Sequence, residues 1–307
     1  MNELKAAGIT DVELQKSYQE CKRLNSEHGK TYYLATLLLP KEKRPHVHAL
    51  YGFARFADEI VDDLGSTLTP QEKADTLRSW GDSILSDIRS GKSADHVGRA
   101  LVNTVKTFEI PIEYFEAFLH SMAMDLTVTS YERYEDLLEY VYGSAAVIGL
   151  QMVHVLGLQG NDNNVKKKQD ALAAAEKLGI AFQLANFIRD VGEDLDRGRI
   201  YLPLSELRQF NVTRELLVKR VITPELREAL KFQINRVRTL QSEAEPGISL
   251  LSSPTRPCIR AASELYCGIV EEVEKIDYQV FTKRAKTSNF RRFSVAFPAW
   301  LRALALR

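Results

Sequence analysis

Apolar residues recur at every third or fourth position along most of the chain. Leu77, Trp80, Ile84, Leu85 and Ile88 show this spacing, which places them on one face of an α-helix. Sustained alternation of apolar and polar residues, which is typical of half-buried strands, is hard to find. The pattern therefore predicts an all-α protein. The candidate helices cover residues 10–27, 45–64, 70–90, 96–108, 112–124, 132–157, 166–195, 214–220, 224–245 and 256–280.

Signals for helix starts support this assignment. Thr10 with Glu13 forms a candidate capping box, and the sequence TPQE at 69–72 combines an N-cap, an N1 proline and an N3 glutamate. The pair TP at 223–224 repeats the N-cap and the proline. No linker rich in glycine and serine and no repeat of fixed period interrupts the pattern. We therefore expect a single helical domain over residues 1–307.

The segment from Val141 to Gly160 contains no charged residue and approaches the length of a membrane span. It holds several glycines as well as Gln151 and His154, and the polar sequence NDNNVKKKQD follows it directly. These features favour a buried central helix over a membrane span.

The composition is that of an ordinary globular protein, with 45% apolar and 27% charged residues. The 41 basic and 41 acidic residues balance, so the strongly basic surface of a nucleic-acid-binding protein is absent. The three cysteines, Cys21, Cys258 and Cys267, show no disulfide framework and no zinc-binding spacing. The first fifteen residues lack the apolar segment of a secretory signal. We expect reduced thiols and a cytoplasmic protein that does not bind nucleic acid.

A first polar stripe interrupts an apolar helix. Tyr51, Arg55, Asp58 and Asp62 are spaced by four, three and four residues, so they lie on one helix face. The two aspartates are about 6 Å apart along the axis, and two carboxylates at this spacing can share a hard cation such as Mg²⁺. A solvated charged face is the alternative. The apolar residues around the stripe favour a cleft, because they predict packing over most of the circumference.

A second stripe has the same chemistry. Gln183, Asn186, Asp190 and Asp194 are spaced by three, four and four residues, and apolar residues between them predict a packing face. Two oxygen-rich stripes on separate helices can hold Mg²⁺ between them and leave positions for phosphate oxygens. Basic residues beside the stripe are candidates to pair with its remaining charge: Arg189, Arg197 and Arg199. For Arg197, neutralisation of the helix C-terminus is an equal alternative.

The segments DEIVD and RDVGED, with QLANFIRD and GRIYLP around the second, resemble the phytoene/squalene synthase family. The resemblance extends from about Gly29 to Arg284. It implies an all-α isoprenoid synthase fold, a single helical bundle around a central apolar cavity, with the two acidic motifs facing each other across the cavity mouth. YVYGSAAVIG resembles the central helix of the family. There, Gly143, Ala146 and Gly149 would leave a groove for a prenyl chain.

The resemblance also implies roles for individual residues. The implied Mg²⁺ ligands are Asp58, Asp62, Asn186, Asp190 and Asp194. The implied substrate contacts are Lys30, Thr31, Tyr51, Arg55, Gln183, Asn186, Arg189, Tyr201, Tyr266 and Arg284. The residues expected to take part in catalysis are Tyr51, Arg55, Asp58, Asp62, Asp190 and Asp194.

The implied reaction is a Mg²⁺-dependent head-to-head condensation of two geranylgeranyl diphosphates, through a cyclopropyl diphosphate, to phytoene. Mn²⁺ is a substitute for Mg²⁺, and no nicotinamide cofactor is expected. Squalene or dehydrosqualene synthesis from farnesyl diphosphate is the nearest alternative, because it shares every motif. A non-catalytic assembly protein of the same fold is a remote one, since both acidic motifs are intact.

The C-terminal run FRRFSVAFPAWLRALALR mixes arginines with apolar residues. Peripheral contact with a membrane surface and ordinary core packing are equally good interpretations. The sequence leaves the oligomeric state open.

Overall fold

The computed structural model describes residues 2–62, 67–160 and 164–306, and within these ranges the side chains of Lys30, Thr31 and Asp62 lie outside the description. The described residues form sixteen α-helices and one π-helical segment, and only two isolated β-bridges occur among them. The α-helices α1 to α16 are, in order, Glu3–Ala6, Val12–His28, Lys30–Thr36, Arg44–Asp62, Pro70–Ser90, His96–Phe108, Glu113–Met124, Tyr134–Val141, Val147–Leu156, Val165–Asp196, Leu204–Gln209, Arg214–Val218, Pro224–Ile248, Arg256–Cys267, Ile269–Lys275 and Asn289–Ala305. The π-helical segment, Tyr142–Ala146, joins α8 to α9.

The all-α prediction is confirmed, and most predicted helices agree with the structure to within a few residues. The capping box at Thr69 is present as predicted, with reciprocal bonds between Thr69 and Glu72. The predicted box at Thr10 is wrong, because Asp11 is the N-cap and accepts a hydrogen bond from the Leu14 amide. The predicted helix 256–280 is two helices, α14 and α15, and the pattern missed α1, α3, α11 and α16.

The long helix α10 is the central element of the bundle. It packs against α13, α9 and the π-helical segment, and also against α14 and α15. Helix α4 packs between α2, α6 and α5 and contacts α7. One buried apolar cluster runs through these elements, and a smaller cluster lies beneath the N-terminal helices. The two helices that carry the polar stripes are thus fixed by packing on most of their circumference.

The uncharged segment 141–160 is largely buried, as predicted. The expected groove of small residues is only partly present. A Cβ on Gly143 would lie 2.1 Å from the carbonyl oxygen of Ala117, and one on Gly149 would lie 2.5 Å from that of Ala175. These glycines therefore serve close helix packing. Gly149 also lines an apolar cavity, whereas Gly143 and Ala146 do not.

Among the described residues one helix, α10, has the length and composition of a membrane span. Core helices of globular proteins pass the same test. Ala181, Leu184 and Ile188 of α10 are each 3% exposed or less, as expected for a core helix. The three cysteines are free and buried.

Two buried histidines on α4 have strongly lowered pKa values. Burial lowers the pKa of His46 and of His48 from 6.5 to about 4, with Lys43 adding to the effect on His46. Tyr18 and Thr104 pair with Nδ1 of His46, and the Asn25 amide pairs with Nδ1 of His48. Both rings are therefore neutral in the folded protein at neutral pH.

We expect the free energy of unfolding to fall as the pH decreases from about 6.5 to 4. In this window the unfolded chain protonates both histidines and the folded chain does not, so each contributes about 1.4 kcal/mol of lost stability per pH unit. Urea unfolding at several pH values measures this slope. His48→Gln should reduce it by one histidine's share, whereas the exposed His120→Gln should keep the wild-type slope. An unchanged slope in His48→Gln would contradict the interpretation.

Candidate active site

A polar cavity of about 370 Å³ opens between α4, α7, the π-helical segment and α10. Among the described residues, four aspartates and four arginines line it. The lining residues are Tyr51, Ala54, Arg55, Asp58, Phe118, Met122, Asp125, Tyr140, Ser144, Gln183, Asn186, Phe187, Arg189, Asp190, Asp194, Arg197, Arg199 and Tyr201. The described residues of the two polar stripes therefore line one cavity, and Asp62 of the first stripe stays a prediction.

Helix α4 contributes one wall. Arg55 forms ion pairs with Asp58 and Glu59, both at 3.0 Å, so the acidic charge on this helix is partly neutralised from within. The Tyr51 ring lies 5.7 Å from the Tyr32 ring between centroids. Gly29 makes this arrangement possible, because a Cβ there would lie 2.7 Å from the Tyr51 ring.

Helix α10 contributes the opposite wall. Asp190 is held by two arginines: Arg189 binds its carboxylate at 2.7 and 2.5 Å, and Arg284 reaches it at 3.1 Å from the segment after α15. One helical turn earlier, the Asn186 amide donates to the Gln183 side chain at 3.4 Å. The second acidic stripe is thus embedded in a cationic and amide environment.

Asp194 is a half-buried carboxylate of this wall. Burial, together with the neighbouring charge of Asp190, raises its pKa from 3.8 to about 7, and Arg197 and Arg199 oppose the shift. The charged form of a partly buried carboxylate with a raised pKa would be stabilised by a bound cation.

Aromatic residues form part of the cavity lining, and of these the sequence predicts a substrate contact for Tyr201 but no role for Tyr140. The Asp125 carboxylate accepts hydrogen bonds from the Tyr140 hydroxyl at 2.7 Å and from the Tyr201 hydroxyl at 3.0 Å. Tyr201 stacks on Phe187 with centroids 4.1 Å apart and planes 7° from parallel. Arg199 donates to the backbone carbonyl of Asp125 at 2.8 Å. Asp125 therefore sets the orientation of two aromatic rings.

A second, apolar cavity of about 280 Å³ adjoins the first. Ser144 and Asn186 line both. The Ser144 hydroxyl is buried and has no hydrogen-bond partner among the described residues. Ser144 lies in the π-helical segment, a type of distortion that is frequent at functional sites. The junction of the two cavities thus carries one unpaired polar group.

The predicted site residues are distributed over both cavities. Nine of them line the polar cavity: Tyr51, Arg55, Asp58, Gln183, Asn186, Arg189, Asp190, Asp194 and Tyr201. Arg284 joins them through Asp190. Tyr266 instead lines the apolar cavity and stacks on Phe182 at 4.9 Å. The side chains of Lys30, Thr31 and Asp62 lie outside the described residues, so their placement stays a prediction.

Sequence reasoning missed Asp125, Tyr140 and Ser144. Asp125 directly follows α7, and no spacing pattern links it to the tyrosines that it binds, which are 15 and 76 residues away. Phe187 is one of the apolar residues of the second stripe's helix that the sequence predicts to pack. It is buried but also lines the polar cavity.

Comparison with known proteins agrees with this geometry. A family model described as squalene/phytoene synthase matches residues 25–291, and the chain belongs to this family. A 15-cis-phytoene synthase from Synechocystis sp. is 36% identical over 95% of this chain and 87% of its own length. A chloroplastic phytoene synthase from Daucus carota is 38% identical over 95% of this chain and 72% of its own length.

Solved structures show the same fold. A dehydrosqualene synthase with bound ligand superposes with a TM-score of 0.83 at 28% identity, covering 95% of this chain and 98% of its own. A squalene synthase from Alicyclobacillus acidocaldarius superposes with a TM-score of 0.79 at 24% identity, covering 89% of this chain and 98% of its own. The fold is therefore that of the isoprenoid synthases, as predicted.

We expect Asp125→Ala to lower the free energy of unfolding by about 2–4 kcal/mol, because two buried tyrosine hydroxyls lose their acceptor. Urea unfolding measures the loss. Tyr140→Phe should lower the free energy of unfolding less in the Asp125→Ala background than in the wild type, because Asp125→Ala already leaves the hydroxyl unpaired. Strictly additive losses would show that the carboxylate and the hydroxyl are not coupled.

Proposed function

We propose that this chain condenses two molecules of geranylgeranyl diphosphate head to head to form phytoene, a step of carotenoid biosynthesis. One observation carries the proposal: Asp58 of α4 and Asp190 and Asp194 of α10 line one polar cavity that adjoins an apolar one. The first cavity suits a diphosphate with its metal ions, and the second suits prenyl tails. The phytoene synthases at 36–38% identity support this product over squalene.

The residues present fit Mg²⁺. Family membership implies a prenyl diphosphate enzyme that requires a divalent metal, and we propose that the metal is Mg²⁺, with Mn²⁺ as a substitute. Carboxylate and amide oxygens are the donors that Mg²⁺ prefers. The residues that would hold it are Asp58, Asp62, Asn186, Asp190 and Asp194. When bound, Mg²⁺ supplies Lewis acidity that neutralises the charge of the leaving diphosphate.

The donor set is open rather than a complete cage. Among the described residues, no three acidic, histidine or cysteine side chains converge on one point. This arrangement suits Mg²⁺, which binds through a few carboxylates plus substrate phosphates. The four arginines of the cavity already balance its four aspartates, so a diphosphate would enter most favourably together with its own cations.

The arginines of the site are placed to bind diphosphate oxygens. Arg189 and Arg284 hold Asp190 in this structure, and either can transfer a hydrogen bond to a phosphate, which is an equally good charged acceptor. On the opposite wall, Arg55 forms an ion pair with Asp58 and can transfer it to a phosphate in the same way. The ion pairs thus keep the donors aimed into the cavity.

In the first half of the reaction, the C1–O bond of one substrate breaks and diphosphate leaves. The allylic cation alkylates the 2,3-double bond of the second substrate, and loss of a proton closes a cyclopropyl diphosphate. In the second half, the remaining diphosphate leaves, the skeleton rearranges and a further proton is lost to give phytoene. We assign no side chain as the base.

The chain's own residues protect the cations. The apolar cavity excludes water from the reacting carbons. Tyr51, Phe187 and Tyr201 line the polar cavity, and aromatic rings can stabilise positive charge by cation–π attraction. Asp125 holds the Tyr201 ring in place through its hydroxyl.

The nearest alternative uses farnesyl diphosphate and forms dehydrosqualene or squalene, and the structural likeness to a dehydrosqualene synthase favours testing it. A non-catalytic assembly role is the remote alternative. A cytoplasmic location and independence from a nicotinamide cofactor stay predictions.

We expect purified protein with Mg²⁺ and geranylgeranyl diphosphate to release diphosphate and form a forty-carbon hydrocarbon. A parallel reaction with farnesyl diphosphate should be slower, as judged by kcat/KM and product analysis. A clear preference for farnesyl diphosphate would favour the alternative activity. No hydrocarbon and no diphosphate release from either substrate would contradict an enzyme function.

We expect Asp58→Ala and Asp190→Ala each to lower turnover by at least roughly 10²-fold, since each removes a charged group on the path of the leaving diphosphate. The matched control is Asp196→Ala. Asp196 lies on α10, as Asp190 does, but it pairs with Arg220 and does not line the cavity. It should keep wild-type turnover. Wild-type activity in the first two variants would refute the assigned site.

A further inference from the structure

Helix α16 buries small apolar residues and exposes large ones, which is the opposite of a core helix. Its buried residues are the small or medium-sized Val295, Ala299 and Ala303. Its large apolar residues face outward and are between 43% and 82% exposed: Phe290, Phe293, Phe297, Trp300, Leu301 and Leu304. A helix that only completes a core buries its large side chains. The outward stripe therefore requires an apolar partner.

The stripe is ordered by its own packing. Phe293 stacks on Phe297 with centroids 5.3 Å apart, and Phe297 stacks on Trp300 at 6.1 Å. Arg291 anchors the helix to α15 through ion pairs with Glu271 at 2.6 Å and Glu272 at 2.8 Å. The aromatic face is thus presented on a helix that is fixed to the bundle.

The charge around the stripe indicates the chemistry of the partner. From residue 283 to residue 307 the sequence has seven basic residues and no acidic one. Two of them, Arg284 and Arg291, are paired with acidic residues of α10 and α15, so the excess positive charge comes from the other five. Two copies joined through α16 would bring these basic segments together, which disfavours self-association through this face. Exposed aromatic rings beside basic residues are typical of helices that lie in the interface of an anionic membrane.

The position of α16 relative to the apolar cavity agrees with a lipid surface. Helix α16 packs on α14, and α14 contributes Cys258, Ile259, Ala262 and Tyr266 to the wall of that cavity. Helix α3, which also contacts α14 and lines the same cavity, exposes 62% of Leu34. The exposed apolar residues of α3 and α16 are therefore one layer of helices away from the apolar cavity.

We propose that α16 docks this protein on an anionic lipid bilayer, with the aromatic stripe inserted at the interface and the basic residues of segment 283–307 other than Arg284 and Arg291 attracted to the head groups. Docking does not depend on the proposed activity. An apolar substrate or product would, however, have a short path between the apolar cavity and the bilayer.

Vesicle co-sedimentation of the full chain tests the proposal. We expect binding to vesicles of phosphatidylcholine mixed with phosphatidylglycerol and weaker binding to phosphatidylcholine alone. The double variant Phe290→Ser with Phe293→Ser should weaken partitioning by at least roughly tenfold, because it removes two exposed rings from the insertion face. Replacing both rings by leucine should retain most of the binding.

A matched control and a charge variant sharpen the result. Val165→Ser with Val218→Ser changes two exposed apolar residues outside α16 and should bind as the wild type does. Arg302→Gln should weaken binding roughly fivefold on the anionic vesicles only. Trp80 and Trp300 are the two tryptophans. In a Trp80→Phe background the emission of Trp300 should therefore shift to the blue on vesicle binding.

Three outcomes would overturn the proposal. The first is a wild-type protein that does not bind anionic vesicles. The second is equal binding by the wild type and the Phe290→Ser, Phe293→Ser variant. The third is a wild-type dimer, seen by sedimentation velocity, that this variant dissociates while neither protein binds vesicles, which would make a second copy the partner of α16.

Discussion

Carboxylates of α4 and α10 lie on opposite walls of one cavity, and the rest of the site depends on this arrangement. Asp58 is held by Arg55, Asp190 is held by Arg189 and Arg284, and Asp194 is half-buried with its pKa raised to about 7. Bringing such charges together costs free energy, which packing elsewhere on the same helices must offset. Helix α10 supplies that packing against α13, α9 and α14. The polar cavity is therefore maintained by the apolar surfaces behind it.

The same packing explains how two dissimilar environments adjoin. Helix α10 presents Asp190 and Asp194 to the polar cavity and, about two to four turns earlier, Leu178, Gly179 and Phe182 to the apolar one. The lining changes from polar to apolar at Asn186 and, on the facing wall, at Ser144 in the π-helical segment. A π-helical turn inserts a residue into the helical repeat, so the side chains before and after it are rotated relative to a regular helix. A substrate with a charged head and an apolar tail matches this change of lining.

The sequence predicted the long helices and the acidic stripes well, because both are local patterns. Periodicity defined α5 and α6 to the residue, and the spacing of Asp58, Asp190 and Asp194 indicated the two faces. Features that depend on contacts distant in sequence were not visible. Asp125 has meaning only beside Tyr140 and Tyr201, and the role of Gly143 is decided by the carbonyl of Ala117. Short helices such as α1 and α3 lack enough residues to show a period.

Helix α16 shows a different limit of periodicity. Its spacing of apolar residues is that of an amphipathic helix, and a pattern of this kind specifies a stripe without specifying which side faces the protein. The structure resolves the ambiguity through size: Ala299 and Ala303 permit close approach to α14, which leaves Phe293 and Trp300 outside. Small residues inward and aromatic residues outward require two apolar partners, one on each side of the helix. The bundle is one of them, and the proposed lipid surface would be the other.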